Sequence, residues 1–273
     1  MSTSIKCSRD GVDYESYSYG EFVSYVNSVN KAPSTSDERS KDSHDSGWFG
    51  TEDWDEAMDY AIHGWDAGIK AMQENIKTYG MDMSYTPDIV GHTVDVGRFL
   101  SGLPDSMVTF SESINRRKKN IALHANLAYA HYITKKEAMQ YSSNLVNLVA
   151  NLSSTFNVKL VGVFWTSFIS SPNNMTVINI KELDEPLIMN NVAFAYHPSF
   201  FRRLWFRWLE SKDIWQSSYG SKHDKKIEQS KTAVSVLQEL SRGQECYFVP
   251  EVYDSFDVDE EYKRIVESSN ENI

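Results

Sequence analysis

The spacing of apolar residues predicts two long helices. In the first, residues 51–80, apolar side chains recur every three or four positions and form one helical stripe: Trp54, Met58, Ala61, Trp65, Ile69, Met72 and Ile76. Thr51 precedes this stripe and is predicted to cap the helix. The second helix covers residues 134–155, where Thr134 and Glu137 have the spacing of a capping box.

Shorter segments rich in apolar and β-branched residues predict strands. They cover residues 121–127, 158–165, 175–182 and 246–253. Further helices are predicted at residues 186–196, 198–211 and 231–241, the first two separated by Pro198. The order β-α-β-β-α-β, after a helical N-terminal part, indicates an α+β fold with mixed α/β layers. Such a fold differs from the all-β barrel of an OB-fold.

Composition predicts three segments along the chain. Residues 1–47 are expected to be a flexible N-terminal segment and linker, because residues 27–47 are rich in Ser, Asp and Lys and almost devoid of apolar side chains. Residues 48–250 are expected to form a single mixed α/β domain. Residues 251–273 are expected to be an acidic C-terminal tail.

Charge is distributed unevenly along a chain whose net charge is −11. Residues 110–250 contain 17 Lys and Arg against 11 Asp and Glu, whereas residues 251–273 contain eight acids against two basic residues. A basic middle followed by an acidic end is typical of a nucleic-acid-binding protein with an interaction tail. A tail that only adds solubility is the alternative.

Two groups of cations are candidate nucleic-acid-binding residues. An uninterrupted run precedes the first predicted strand, where its charges would project into solvent and meet phosphates: Arg116, Arg117, Lys118 and Lys119. A looser group lies in a polar loop: Lys222, Lys225 and Lys226. A solvated turn with incidental charge is the alternative for the run.

The stretch FRRLWFRWLE, residues 201–210, combines three arginines with four aromatic rings. On a helix most of the rings fall on one stripe and are expected to be core. Arg203 and Arg207 are four residues apart, so we expect them to share an exposed face bordered by Phe206. Rings beside arginines favour single-stranded over duplex DNA, because only unpaired bases are free to stack.

Signatures of enzymes are sparse. The sequence contains no phosphate-binding loop, no HExxH, no GxSxG and no CxxC, so we expect no catalysis, no metal and no cofactor. An enzyme that uses His92, Asp95 and Arg98 is the weaker alternative. Two cysteines are too few for a disulfide framework, and no apolar run reaches the length of a membrane span, so we expect no membrane association.

Two stretches resemble a broader family of poorly characterised phage and mobile-element proteins. They are GWFGTEDWDEAMDYAIHGWDAG, residues 47–68, and DIVGHTVDVGRFLSGLPDSMVTF, residues 88–110. With the basic middle and the acidic end, the chain is similar to the Drc-like single-stranded-DNA-binding RNA polymerase cofactors of phages. The resemblance implies a protein of the infected bacterial cytoplasm that binds melted promoter DNA and recruits the phage RNA polymerase.

The acidic end provides the candidate partner-binding residues, which would contact the polymerase or compete with DNA for the cations. They are Tyr253, Phe256, Asp257, Asp259, Glu260 and Glu261. A structural or adaptor protein is the main rival hypothesis. In it, the aromatic helix over residues 198–211 would form a homo-oligomer interface, because Trp and Arg are also enriched at protein interfaces.

Overall fold

The computed structural model describes residues 5–9, 12–29, 39–42, 46–75, 85–88, 93–94, 107–110, 118–129, 132–166, 173–183, 185–212, 230–252, 254 and 256–271. The described strands are β1 (Ile5–Arg9), β2 (Val12–Ser18), β3 (Tyr85–Asp88), β4 (Thr93–Val94), β5 (Met107–Phe110), β6 (Lys119–Asn126), β7 (Phe156–Thr166), β8 (Asn173–Lys181) and β9 (Glu245–Phe248). The chain divides into a larger unit, residues 1–76 with 120–273, and a smaller unit, residues 77–119.

Helices make up most of the remaining described structure. They are α1 (Tyr19–Ser28), α2 (Arg39–Asp42), α3 (Ser46–Phe49), α4 (Trp54–Ile62), α5 (Asp66–Asn75), α6 (Lys135–Ser153), α7 (Met189–Ala195), α8 (Phe206–Ser211), α9 (Lys231–Leu240) and α10 (Val258–Glu271). A π-helical segment, Phe200–Trp205, leads directly into α8. The predicted order β-α-β-β-α-β is present as β6, α6, β7, β8, the helices from α7 to α9, and β9.

An open sheet of mixed strand direction organises the larger unit. Its described strands lie in the order β1-β2-β8-β7-β6-β9. β2 runs parallel to β8 and β6 parallel to β9, whereas β7 and β8 are antiparallel. The Asn157 side-chain amide donates to Asn120 Oδ1, and the Leu127 main-chain amide donates to the Val163 carbonyl. Residue numbers rise together in these two pairs, so β6 and β7 run in the same direction. This is the mixed α+β fold that the sequence predicts, and not a closed OB-type barrel.

Helices cover the two faces of this sheet unequally. One face carries the main core, where α1, α4, α6, α7 and the π-helical segment pack on alternate residues of β6, β7 and β8. The opposite face is covered by α9, whose Ala233, Val236 and Leu237 pack on the intervening strand residues. The alternation follows from the two-residue period of a strand. The aromatic stretch 201–210 lies within the larger core.

The two predicted long helices have different outcomes. The helix predicted at 134–155 is confirmed as α6, with the capping box present: the Thr134 side chain accepts from the Glu137 amide, and Glu137 accepts from the Thr134 amide. The helix predicted from Thr51 is instead two helices, α4 and α5. Asp53 is the cap of α4, and Gly64 separates the helices with a φ of +113°, a conformation that favours glycine.

The N-terminal segment is part of the folded unit, so the prediction that residues 1–47 are flexible is wrong for residues 5–9 and 12–28. β2 pairs with the central strand β8 over its whole length. α1 then begins with a capping box between Ser18 and Glu21 and buries Phe22 and Val26 against the main core. Most of the predicted linker lies outside the described residues.

The smaller unit contains an antiparallel sheet of its own in the described residues. β5 is its central strand and pairs with both β3 and β4. Tyr85 lies opposite Phe110, and Thr93 opposite Val108.

Candidate nucleic-acid interface

The cationic run Arg116–Lys119 ends at the first residue of β6. Lys118 is exposed and Lys119 is half-buried, whereas the strand is fully buried from Ile121 onward. Arg116 and Arg117 lie outside the described residues. Lys118 is therefore a surface cation directly before β6, and β6 is held in place by the core.

The prediction of an exposed arginine face is wrong for Arg203, Phe206 and Arg207. Their exposed fractions are 0%, 1% and 2%. The physical reason is a clasp from an earlier part of the chain, residues 46–53, which we call the strap. It lies over the π-helical segment and covers Arg203 and Phe206, whereas Arg207 is buried against Val29 and Glu210.

Arg203 holds the strap through hydrogen bonds that fit the planar fork of a guanidinium group. Its Nε donates to Thr51 Oγ1 at 2.8 Å, and one NH2 group donates to the Thr51 carbonyl at 2.9 Å and to the Glu52 carbonyl at 3.1 Å. NH1 reaches the Ser40 carbonyl of α2 at 3.0 Å. Burial lowers the pKa of the Arg203 side chain, while the carboxylates of Asp53 and Glu56 act in the opposite direction. Arginine stays charged despite such shifts.

The neighbouring arginines make equivalent internal contacts. Arg202 donates to the Trp48 carbonyl at 2.5 Å, and Arg207 donates to the Val29 carbonyl at 2.9 Å. Arg207 also lies 3.6 Å from a carboxylate oxygen of Glu210, a residue that accepts from both the amide and the hydroxyl of Ser40. In this conformation the three arginines join the N-terminal segments to the aromatic helix.

The second predicted group, Lys222, Lys225 and Lys226, lies outside the described residues. The last described residue before it is Lys212, which forms an ion pair of 2.7 Å with Glu15 on β2. Lys212 also lies 5.0 Å above the Tyr25 ring and 5.4 Å from the Trp208 ring. Lys212 itself is therefore anchored to β2 and α1 through Glu15 and Tyr25.

The C-terminal residues form a docked helix, so the prediction of a separate tail is wrong for α10. Ile265 is fully buried, and Phe256 lies 5.3 Å from the Tyr141 ring of α6. Arg264 pairs with Glu261 and donates to the carbonyl of Phe248, on edge strand β9, at 3.0 Å.

The predicted partner-binding residues are thus divided by this docking. Phe256 contacts Tyr141 and Glu261 pairs with Arg264 within the same chain. Asp257 accepts from the amides of Asp259 and Glu260 at the start of α10. Side chains of Asp259 and Glu260 are exposed. Tyr253 lies outside the described residues.

Two histidines are buried in the folded unit. Burial, with a smaller effect of Lys159, lowers the pKa of His124 to about 3, and the ring contacts Ser241 Oγ at 3.3 Å. Burial and the charge of Lys135 hold the pKa of His197 well below its usual range. His197 packs against the Trp65 ring, at 4.4 Å between centroids. Both are uncharged at neutral pH.

Among the described residues, no three His, Cys, Asp or Glu side chains are grouped to hold a metal ion. No helix in that part of the chain has the length and apolar character to cross a bilayer. The residues of the alternative enzyme hypothesis, His92, Asp95 and Arg98, lie outside the described residues.

Residues 12–266 match a domain of unknown function, DUF7192. The chain belongs to the DUF7192 family. The DUF7192 match begins at the first residue of β2 and ends within α10, so the family domain includes the N-terminal strand and much of the docked C-terminal helix. No curated protein and no solved structure matches the chain.

Proposed function

We propose that the protein is a non-catalytic single-stranded-DNA-binding protein that serves as a phage transcription cofactor. It binds melted promoter DNA and recruits the phage RNA polymerase in the cytoplasm of the infected bacterium. One structural observation carries the DNA-binding part: Lys118, within the run Arg116–Lys119, is exposed where the chain enters a fixed strand. The resemblance to Drc-like cofactors supports the transcriptional part.

Attachment of the run to β6 favours binding to an extended phosphate backbone. Adjacent cations that neutralise phosphates release condensed counterions, which supplies affinity without sequence preference. Lys159, on the next strand, is paired with Glu182, and Lys181 donates to the Val158 carbonyl, so both serve internal contacts. The proposed DNA contacts are the run itself and Lys222, Lys225 and Lys226.

Exposed acids at the start of α10 are the proposed contact for the polymerase. Asp259 and Glu260 face solvent, while the apolar side of the helix is held by the core. A carboxylate pair on a docked helix is a rigid element that a basic surface of the polymerase can recognise.

Fluorescence anisotropy with labelled single- and double-stranded oligonucleotides tests the DNA-binding part. Four phosphate contacts to a single strand predict that affinity falls about 50-fold between 50 and 200 mM salt. Changing Lys118 and Lys119 to Ala should weaken binding and make this salt dependence shallower. The matched control changes Lys70 and Lys136, two exposed lysines on helices, to Ala.

Equal affinity of wild type and K118A/K119A would contradict the proposed interface. An absence of binding to either form of DNA at low salt would contradict the function. The rival adaptor hypothesis relied on an aromatic helix at the surface, yet Trp205 and Trp208 are buried within one chain. Burial of these rings within one chain therefore counts against the adaptor hypothesis.

A further inference from the structure

The strap meets the arginines of the π-helical segment with two kinds of group. Its main-chain carbonyl oxygens, at Trp48, Thr51 and Glu52, accept hydrogen bonds from Arg202 and Arg203. Trp48 lies in the short helix α3, and Thr51 and Glu52 lie in the bend that follows it.

Aromatic rings of the same strap lie on the same guanidinium groups. The Trp48 ring is 5.0 Å from the Arg202 guanidinium, and the Phe49 ring is 4.5 Å from that of Arg203. Trp48 also packs on Phe206, with 5.9 Å between ring centroids. The main chain of the strap therefore provides oxygen acceptors to Arg202 and Arg203, and its side chains provide flat rings to the same two arginines.

A single strand of nucleic acid offers arginine the same two kinds of group, phosphate oxygens and stacking bases. We propose that the strap occupies a second single-strand-binding surface, formed by Arg202, Arg203 and Phe206, and competes with DNA for it. This inference rests on the proposed function. In the closed conformation described here the surface is covered, and first contact with DNA occurs at the Arg116–Lys119 run.

Exchange of the strap for DNA replaces neutral acceptors with charged ones. A phosphate oxygen carries a charge that a carbonyl lacks, and a phosphate can accept two parallel bonds from one guanidinium. The host segment is π-helical, a rare geometry that is frequent at functional sites. Trp48 is only half-buried, so the strap has an accessible side from which displacement can begin.

Trp48→Ala tests the competition, because it removes the strap ring that covers Arg202 and Phe206. We expect W48A to bind a single-stranded oligonucleotide at least fivefold more tightly than wild type. W48F, which keeps a ring, should stay within twofold of wild type. Adding Arg202→Gln to W48A should remove the gain, and photo-crosslinks from an iodouracil-containing oligonucleotide should map to residues 199–211 in W48A.

Hydrogen exchange on the wild type provides a second measurement that does not depend on how well W48A folds. Saturating oligonucleotide should speed exchange of strap amides, including that of Gly50, which bonds the Ser46 carbonyl, and leave α6 amides unchanged. If strap exchange is unaffected, the inference is overturned. When W48A is folded, an unchanged affinity overturns it as well. In both cases wild-type binding that depends on Lys118 leaves the proposed function standing, whereas no binding by any variant removes both.

Discussion

Arg203 and Thr51 are joined by two hydrogen bonds across 152 positions of sequence, one to the side chain of Thr51 and one to its carbonyl. Thr51 Oγ1 also accepts from Ser199 at 2.9 Å. The pair lies in the interior, where a lost donor leaves buried carbonyls without compensation. This contact fixes the N-terminal segments on the aromatic helix.

Arg203→Lys is therefore expected to lower the free energy of unfolding by about 2–4 kcal/mol, because an ammonium cannot reproduce the planar fork. Urea denaturation followed by tryptophan fluorescence measures the change. Arg242→Lys is the matched control, since Arg242 is largely exposed and pairs with Glu239 on the surface. It should change stability by less than about 0.5 kcal/mol. Equal effects of the two substitutions would show that Arg203 is not a structural clasp.

Gly64→Ala is expected to destabilise the protein by about 2 kcal/mol or more. The φ of Gly64 is +113°, and a Cβ there would lie 3.0 Å from Asn190 Oδ1, which accepts from the Trp65 amide at 2.8 Å. Gly20→Ala is the control, because Gly20 lies in α1 and a Cβ meets no atom within 4 Å. The control should be neutral or stabilising by about 0.5–1 kcal/mol. Thermal melts of both variants decide the point.

Acid should destabilise the fold through His124 and His197. Their pKa values are lowered in the folded state, so the unfolded chain binds more protons once the pH falls below about 6.5. The contribution of these histidines to the free energy of unfolding is therefore fully present above that pH. It is lost as the pH falls toward the folded-state pKa. Each histidine contributes a loss of about 2 kcal/mol between pH 7 and pH 5.

Urea denaturation at both pH values measures this loss. His124→Gln and His197→Gln should each make stability less dependent on pH. His63→Gln is the control, because His63 is exposed and pairs with Asp59 on the surface. A pH dependence that persists when both buried histidines are replaced would contradict the assignment.

Asp259→Asn with Glu260→Gln should reduce capture by immobilised phage RNA polymerase, because it removes two exposed negative charges. Affinity for single-stranded DNA should stay within twofold. Asp13→Asn with Glu185→Gln changes two other exposed acids and serves as the control. Equal capture of both variants would place the polymerase contact elsewhere.

Much of the fold follows from patterns within single segments. The capping box at Thr134 and Glu137, and the strand positions within two or three residues, are local properties of sequence. The box at Ser18 and Glu21 has the same signature and would have revealed α1. Likewise, Val258, Tyr262, Ile265 and Val266 have helical spacing, which the high acid content of the segment obscured.

The surroundings of the arginines could not be predicted in the same way. Helical periodicity places Arg203 and Arg207 opposite most of the rings, and a charged side is normally exposed. Arg203 is buried because carbonyl groups of residues about 150 positions earlier accept its hydrogen bonds. A local sequence pattern cannot predict a partner so distant in sequence. The proposed DNA contacts at Lys118 and Lys119 stay predictions for the same reason, since their partner is another molecule.

The bond from Arg264 to the Phe248 carbonyl has a consequence for self-association. A terminal strand normally leaves a row of main-chain groups ready to pair with a neighbouring chain. Here a helix side chain takes up one of these acceptors on β9, which is only four residues long. Removing α10 would leave the main-chain groups of β9 free to pair with another chain. Truncated chains should therefore form fibrous or amorphous aggregates, while the intact protein stays dispersed.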